Sequence, residues 1–175
     1  MIKCKEYALE EGKPVDISKL LASQMDIEDY TIAHRHLPLI CHDVLINYEG
    51  GILLVMRNRF PAKGILWGFG GRLKRGLSLE ESLKRTVKEE SNLDIHNSEI
   101  IGLARHYWAT EPFGHGHGTD TPVVVYYGEA EGDIRLNKDH YNPLIVKPEA
   151  YTERFKQSLH PYMKDFMDLV IPKIK

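Results

Sequence analysis

The sequence predicts an α/β domain in which a mixed β-sheet lies between helices. Three observations carry that prediction. Apolar runs rich in β-branched residues recur as LICHDVLINY (39–48), ILLVM (52–56), EIIGLARHYWA (99–109) and TPVVVYYGEAE (121–131). An amphipathic stretch, LSLEESLKRTVKEES (77–91), separates the first two runs from the last two. A further helical spacing runs through Ala150, Phe155, Leu159, Met163, Phe166 and Val170. The order sheet, helix, sheet, helix suits a sheet covered by helices on its faces.

Residues 1–35 are polar and irregular, with one short helical pattern around Ile17–Met25. They read as an N-terminal arm: a homodimer contact, a lid over the site, or a poorly ordered extension. The domain proper spans 36–175. Its first two apolar runs are joined by EGG, a turn signal, and form a β-hairpin. RNRFPAKGILWGFGGRL (57–73) follows as a loop with one short strand at its end. In the next helix, Ser78 is placed to cap the start, with Glu81 closing a capping box. Leu79, Leu83 and Val87 form its apolar stripe, and Asn92 ends it in the left-handed conformation. EPFGHGHGTD (111–120) is a glycine-rich loop, and Pro161 divides the C-terminal helical segment in two.

The chain has 175 residues, 42% hydrophobic and 27% charged, which is long enough for one sizeable core. A formal net charge of −2 gives no electrostatic reason to expect nucleic-acid or membrane binding. The two cysteines, Cys4 and Cys41, form no C-x-x-C pair, which argues against a disulfide scaffold or a cysteine-built zinc site. No run of about 18 apolar residues is present. The opening MIKCKEYALEEGK lacks the apolar centre of a secretion signal, so the expected location is cytoplasmic.

The chemistry concentrates on the central helix. Glu89 and Glu90 stand side by side in its last turn, the end where the helix dipole is already negative. A cation would compensate them, and Mg2+ suits hard oxygen ligands. The plainer alternative is a solvated ladder of Glu81–Arg85–Glu89 ion pairs. The GFGG turn ahead of the helix favours the metal, because glycines let a backbone carbonyl approach the helix end.

Here the sequence resembles the Nudix box, G-x5-E-x7-R-E-U-x-E-E-x-G-U, with U a bulky aliphatic residue. Counting from Gly71, the arginine falls on Arg85, the aliphatic positions on Val87 and Leu93, and the paired acids on Glu89 and Glu90. Leu77, Thr86 and Asn92 depart from the pattern. The resemblance implies a Nudix α/β/α sandwich with a mixed sheet. RNRFPAKGILWGFGGRL, HYWATEPFGHGHGTD and LNKDHYNP are similar to segments of the GDP-mannose mannosyl hydrolase branch, whose box is also degenerate.

Carried over residue by residue, that branch implies Mg2+ (or Mn2+) on the Gly70 carbonyl and Glu90, with Glu89 and Asp139 as further carboxylate ligands. It implies His140 as general base in the loop LNKDHYNP, Arg57 and Arg72 on the diphosphate, Arg85 orienting the carboxylates, and Asp43 facing the substrate. A late-strand tyrosine would be Tyr126, or Tyr127 by phase. The implied reaction is hydrolysis of a nucleotide-sugar such as GDP-mannose, with water attacking the anomeric carbon to release NDP and sugar. Two alternatives stand beside it: a pyrophosphatase attacking phosphorus, and a Nudix-fold sensor that binds a nucleotide metabolite without cleaving it.

Other residues admit plainer readings. Arg57 and Arg59 bind phosphate or are simply solvated. Trp67 and Trp108 offer surfaces to stack on a base or sugar, with a core role favoured for Trp67 because its strand is short and apolar. His115 and His117 lack a third nearby ligand, so HGHG reads as a mobile substrate-covering loop in preference to a zinc site.

Overall fold

The computed structural model describes residues 4–22 and 24–174. A short ribbon of β1 (Leu9–Glu10) and β2 (Lys13–Pro14) leads to a 3-10 turn at Ile17–Leu20 and then to α1 (Ile27–His36). The helical pattern expected around Ile17–Met25 is thus only a 3-10 turn, and the true helix lies downstream. The IEDYTIAHRH segment carries no apolar stripe, and His34 is its one buried residue. Its start is set by Asp26, whose Oδ1 accepts the N–H groups of Glu28 (3.0 Å) and Asp29 (2.9 Å).

The main sheet is mixed. Its path runs β5 (Leu66–Trp67), β4 (Gly51–Arg57), β3 (Cys41–Tyr48), β8 (Thr119–Glu131) and β7 (Asp94–Trp108). β6 (Phe69–Arg72) also pairs with β3, and β9 (His140–Val146) pairs with β4. β3 is antiparallel to β4 and β6 and parallel to β8.

Side chains alternate between two cores, as the strand period of two requires. Val44, Ile46, Leu53, Val55 and Tyr126 join Leu83 and Val87 of α2 (Leu79–Ser91) on one face. Leu45, Ile52, Leu54, Val125 and Tyr127 join Met163 and Met167 on the other. Those methionines belong to α4 (Pro161–Val170), which follows α3 (Glu153–Ser158). Pro161 does more than interrupt: it occupies the first turn of α4, where its missing N–H is no loss.

The caps of α2 form as the sequence predicts. Ser78 Oγ accepts the Glu81 N–H at 3.2 Å, and Glu81 Oε2 accepts the Ser78 N–H at 3.3 Å. Asn92 is left-handed (φ 63°), and its side-chain amide donates to the Asp133 carbonyl at 3.0 Å, a bond glycine lacks. The alternative Glu81–Arg85–Glu89 ladder does not form. Glu81 is taken by the capping box, Glu89 pairs with Lys74 at 2.8 Å, and the i,i+4 pair is Glu80–Lys84. Thr86 is buried beside the apolar stripe, on the side of α2 that also carries Glu90.

The loop expected around LNKDHYNP ends one residue before His140, which opens β9. Asn142 at φ 49° and a register shift opposite Leu54–Met56 spoil the alternation that would reveal a strand. Pro143 is tolerated because β9 pairs with β4 alone.

Leu83 is fully buried under the sheet, so Leu83→Ala should lower unfolding free energy by about 2–5 kcal/mol. Ser78→Ala should lower it by about 1 kcal/mol through the lost cap. Urea denaturation of both variants checks the ranking.

Candidate active site

The approach of β6 to β3 sets the geometry. Asp43 and Gly70 are opposite partners in this antiparallel pair. A Cβ on Gly70 would lie 2.2 Å from Asp43 Oδ1 and 2.4 Å from the His42 carbonyl, so no side chain fits there. The same close strand approach leaves the Gly70 N–H bonded to Glu90 Oε2, 3.0 Å away across the end of α2. Thr86 packs beneath the neighbouring Gly71, where an added Cβ would meet its methyl at 3.4 Å.

Three carboxylates gather around this point. Burial pushes the Glu90 carboxyl up to about 8; the Gly70 N–H and Arg57 pull the other way, while Asp43 and Asp139 reinforce the rise. Asp43 is also raised by burial, and its Oδ2 accepts hydrogen bonds from Tyr162 OH (2.9 Å) and Trp67 Nε1 (3.1 Å). Asp139 lies 3.8 Å from Arg59. The loop bearing it is tied to the end of β4, because the Asn58 N–H donates to the Asp139 carbonyl at 2.9 Å.

His140 is buried beside them. Burial and then Arg57 push its imidazole down to about 4, with Asp139 opposing. It is therefore neutral at pH 7. Nδ1 lies 3.0 Å from Asn137 Oδ1, which can only accept, so the proton sits on Nδ1 and leaves an Nε2 lone pair. That Nε2 is buried without a hydrogen-bond partner among the described residues.

These groups line one cleft of about 1010 Å3. Arg57, Arg59, Arg72, Lys74, Arg75 and Arg85 face it against Asp43, Glu89, Glu90 and Asp139, an excess of cations that suits an anionic ligand. Arg57 Nε donates to the Pro61 carbonyl at 3.1 Å. Arg72 donates to Tyr30 OH at 2.9 Å and to Cys41 Sγ at 3.3 Å. Arg85 is exposed at the rim and has no ion pair among the described residues. Glu89 lies farther out, with its side chain 60% exposed.

Tyr126 does not join them. It is buried in the core beneath α2, and Tyr127 is buried in the core facing α4. The β8 residues that reach the cleft are Thr119, Thr121 and Val123, nearer the start of the strand.

The sequence reading named Trp67 and Trp108 but missed His106, His160 and Tyr162, which complete an aromatic wall with them. Trp67 stacks on Tyr162 (4.9 Å, 19°), His106 meets Tyr162 edge-on at 4.3 Å, and Trp108 lies 5.1 Å from His160. His106 and Trp108 sit two apart on β7, so period-two alternation alone places them on one face. Tyr162 reaches Asp43 across 119 residues of sequence, and no local signal reports that.

Comparison with known proteins settles the family. The NUDIX domain pattern matches residues 42–168. The chain belongs to the Nudix family. It is similar to the low-salt glycan biosynthesis protein Agl8 of Haloferax volcanii, 26% identical over 136 residues, covering 76% of this chain and 82% of that one. It is also 30% identical over 86 residues to an ADP-ribose pyrophosphatase of Methanocaldococcus jannaschii, covering 49% of this chain and 50% of that one. Among solved structures, a MutT NUDIX hydrolase of Burkholderia pseudomallei superposes with a TM-score of 0.62 at 20% identity, over 77% of this chain and 99% of its own. A bifunctional NMN adenylyltransferase/ADP ribose pyrophosphatase of Francisella tularensis, complexed with AMP and a Mn ion, gives 0.58 at 13%, over 85% and 47%. The fold is the Nudix sandwich, and the Nudix match leaves the arm outside it.

For a divalent ion the donor set is hard oxygen: the Glu90 carboxylate, the Gly70 carbonyl and the flanking Asp139 and Glu89. No three His, Cys, Asp or Glu side chains among the described residues form a ready ligand cluster. Such a set fits an ion that takes a few protein ligands and completes its shell with water and substrate phosphate.

Glu90 keeps its proton to about pH 8 when folded, whereas an unfolded glutamate loses it near 4.5. Between those values the folded state binds more protons, so its stability falls as pH rises. In EDTA, Glu90→Gln should exceed the parent at pH 8 by on the order of 4 kcal/mol. The gap should close towards pH 4.5, as urea titrations across that range would record.

Proposed function

We propose that the protein is a hydrolase of nucleoside diphosphate derivatives, with a nucleotide-sugar such as GDP-mannose as the preferred class. The carrying observation is the junction of an arginine-rich cleft with a buried Glu90 held against Gly70. Mg2+, with Mn2+ as a substitute, would be held by Glu90 and the Gly70 carbonyl and would neutralise the charge of a departing diphosphate. Nudix hydrolases typically use divalent metals.

In the favoured reaction a water oxygen bonds to the anomeric carbon. The bond from that carbon to the β-phosphate oxygen breaks, and NDP leaves with the electron pair. Arg57 and Arg72 stabilise the leaving charge, Arg85 holds the carboxylate end in orientation, and Asp43 faces the sugar. His140 Nε2 offers the lone pair that takes the water's proton. A bound diphosphate raises that imidazole's proton affinity from its low value in the free protein.

Thr86 supports attack at carbon. A buried threonine at the box position of a carboxylate leaves fewer metal ligands than phosphoryl attack generally demands. Likeness to an ADP-ribose pyrophosphatase favours the second reading, attack at phosphorus with release of a nucleoside monophosphate and a sugar phosphate.

Turnover of a nucleotide-sugar panel with Mg2+ in 18O-water separates the two. Label in the free sugar is expected; label in a phosphate product selects the second reading. Glu90→Gln and His140→Gln should each lower kcat by about 100-fold or more. Unchanged turnover in both would overturn the assignment, and tight binding without turnover in the parent would make the protein a sensor.

A further inference from the structure

A buried chain of three side chains ties the N-terminal arm to the glycine loop at the rim of the cleft. Glu111 curls the loop around itself by accepting the N–H groups of Phe113, Gly114 (2.9 Å) and Gly116 (3.0 Å). His115 lies within that curl, its Nε2 3.7 Å from Glu111 Oε2, and both side chains are over nine-tenths buried. From α1, His34 Nδ1 comes to 2.8 Å from the same His115 Nε2. Tyr30 and His34 also pack on Phe113, with ring centroids 5.1 and 4.9 Å apart.

The direction of this bond follows from its neighbours. His115 Nδ1 accepts the His117 N–H at 3.1 Å, so in the neutral ring the proton lies on Nε2. His115 therefore donates to His34, and His34 Nδ1 must hold a lone pair. A proton on His34 Nδ1 would set N–H against N–H. Zinc shared by the two rings fits less well. Two nitrogens about 2.0–2.1 Å from one tetrahedral ion lie roughly 3.3–3.4 Å apart, not 2.8 Å.

The groups facing His34 act in both directions. Arg72 of β6, Arg59 after β4 and His115 disfavour a charge on it, and Glu111 favours one. Burial is the largest influence, and His34 is held below the ordinary imidazole range. His117 stands behind His115, with ring centroids 5.9 Å apart. Tyr30, one turn before His34, accepts the Arg72 guanidinium. Opening of α1 would thus uncover this side of the cleft and release the Nε of Arg72, while its Nη1 stays on the Leu39 carbonyl and Cys41 Sγ.

We propose that α1 is a lid latched to the glycine loop by the His115-to-His34 hydrogen bond, and that protonation of His34 releases it. The latch stands without any assumption about substrate; only its consequence for turnover rests on the functional reading above. Closed and neutral above the ordinary imidazole range, the lid loosens as pH falls below about 6.5.

Hydrogen exchange on the full chain without substrate tests this. Protection of the Ile27–His36 amides, corrected for intrinsic rates, is compared at pH 7.5 and 5.5, with α2 amides as the folding control. Protection of α1 should fall up to about tenfold at pH 5.5, the ratio of protonated to neutral free imidazole one unit below 6.5. α2 should stay unchanged. His115→Gln, which can donate to His34 or accept from it, should keep α1 protected at both values. His34→Phe, which keeps the packing on Phe113, should leave α1 equally exposed at both. Equal parental protection at the two values would overturn the latch, as would full protection of α1 in His34→Phe at pH 7.5. Should His115→Gln fail the α2 control, His34→Phe still decides.

Discussion

The site depends on one steric constraint: the bare Cα of Gly70 lying against Asp43 and the His42 carbonyl. Any side chain there would push β6 away from β3. The displaced strand would carry the Gly70 N–H away from Glu90 and Arg72 away from Tyr30 and Cys41. The proposed metal donors, the cleft-facing cations and the orientation of Asp43 therefore descend from a single close backbone approach. Electrostatics then exploits it. A carboxyl removed from water and crowded by two others gains by meeting a cation, whereas an exposed pair such as Glu89–Lys74 contributes little.

Much of the scaffold was legible because its signals are local. Ser78 and Glu81 announce the start of α2, Asn92 its end, and the β-branched runs show period-two burial on two faces. The box spacing marks Glu90 and Gly70 because one helix and the strand just ahead of it contain them, although GFGG reads as a turn and is in fact β6. What remained hidden is non-local or masked by competing chemistry. α1 has a polar sequence that carries little hydrophobic periodicity, although Asp26 with Asp29 three residues on was a readable cap. β9 hides behind Asn142 and Pro143. The alternative ion-pair ladder through Arg85 could not be dismissed from spacing alone, because the capping box and Lys74 that claim Glu81 and Glu89 show only in three dimensions.

The tyrosine assignment failed for a geometric reason. Phase along β8 tells which face Tyr126 occupies, but not how deep in the sheet it lies. Depth comes from the parallel register with β3, in which Tyr126 pairs with Val44 while Val123 pairs with Cys41 at the cleft end. The aromatic wall makes the same point in reverse. Trp67 is buried as a core residue would be, yet its indole N–H orients Asp43, so packing and a polar role coincide in one side chain.

The Tyr162–Asp43 hydrogen bond has a bearing on how the molecule is made. Synthesis is vectorial, so β3, β6 and α2 all leave the ribosome well before the segment that becomes α4. Until that segment arrives, the Asp43 carboxylate has the Trp67 indole but lacks its second donor, and the face of the sheet that receives Met163 and Met167 lies open. Completion of the pocket thus waits on α4, and the nascent chain carries this apolar face uncovered until that helix docks.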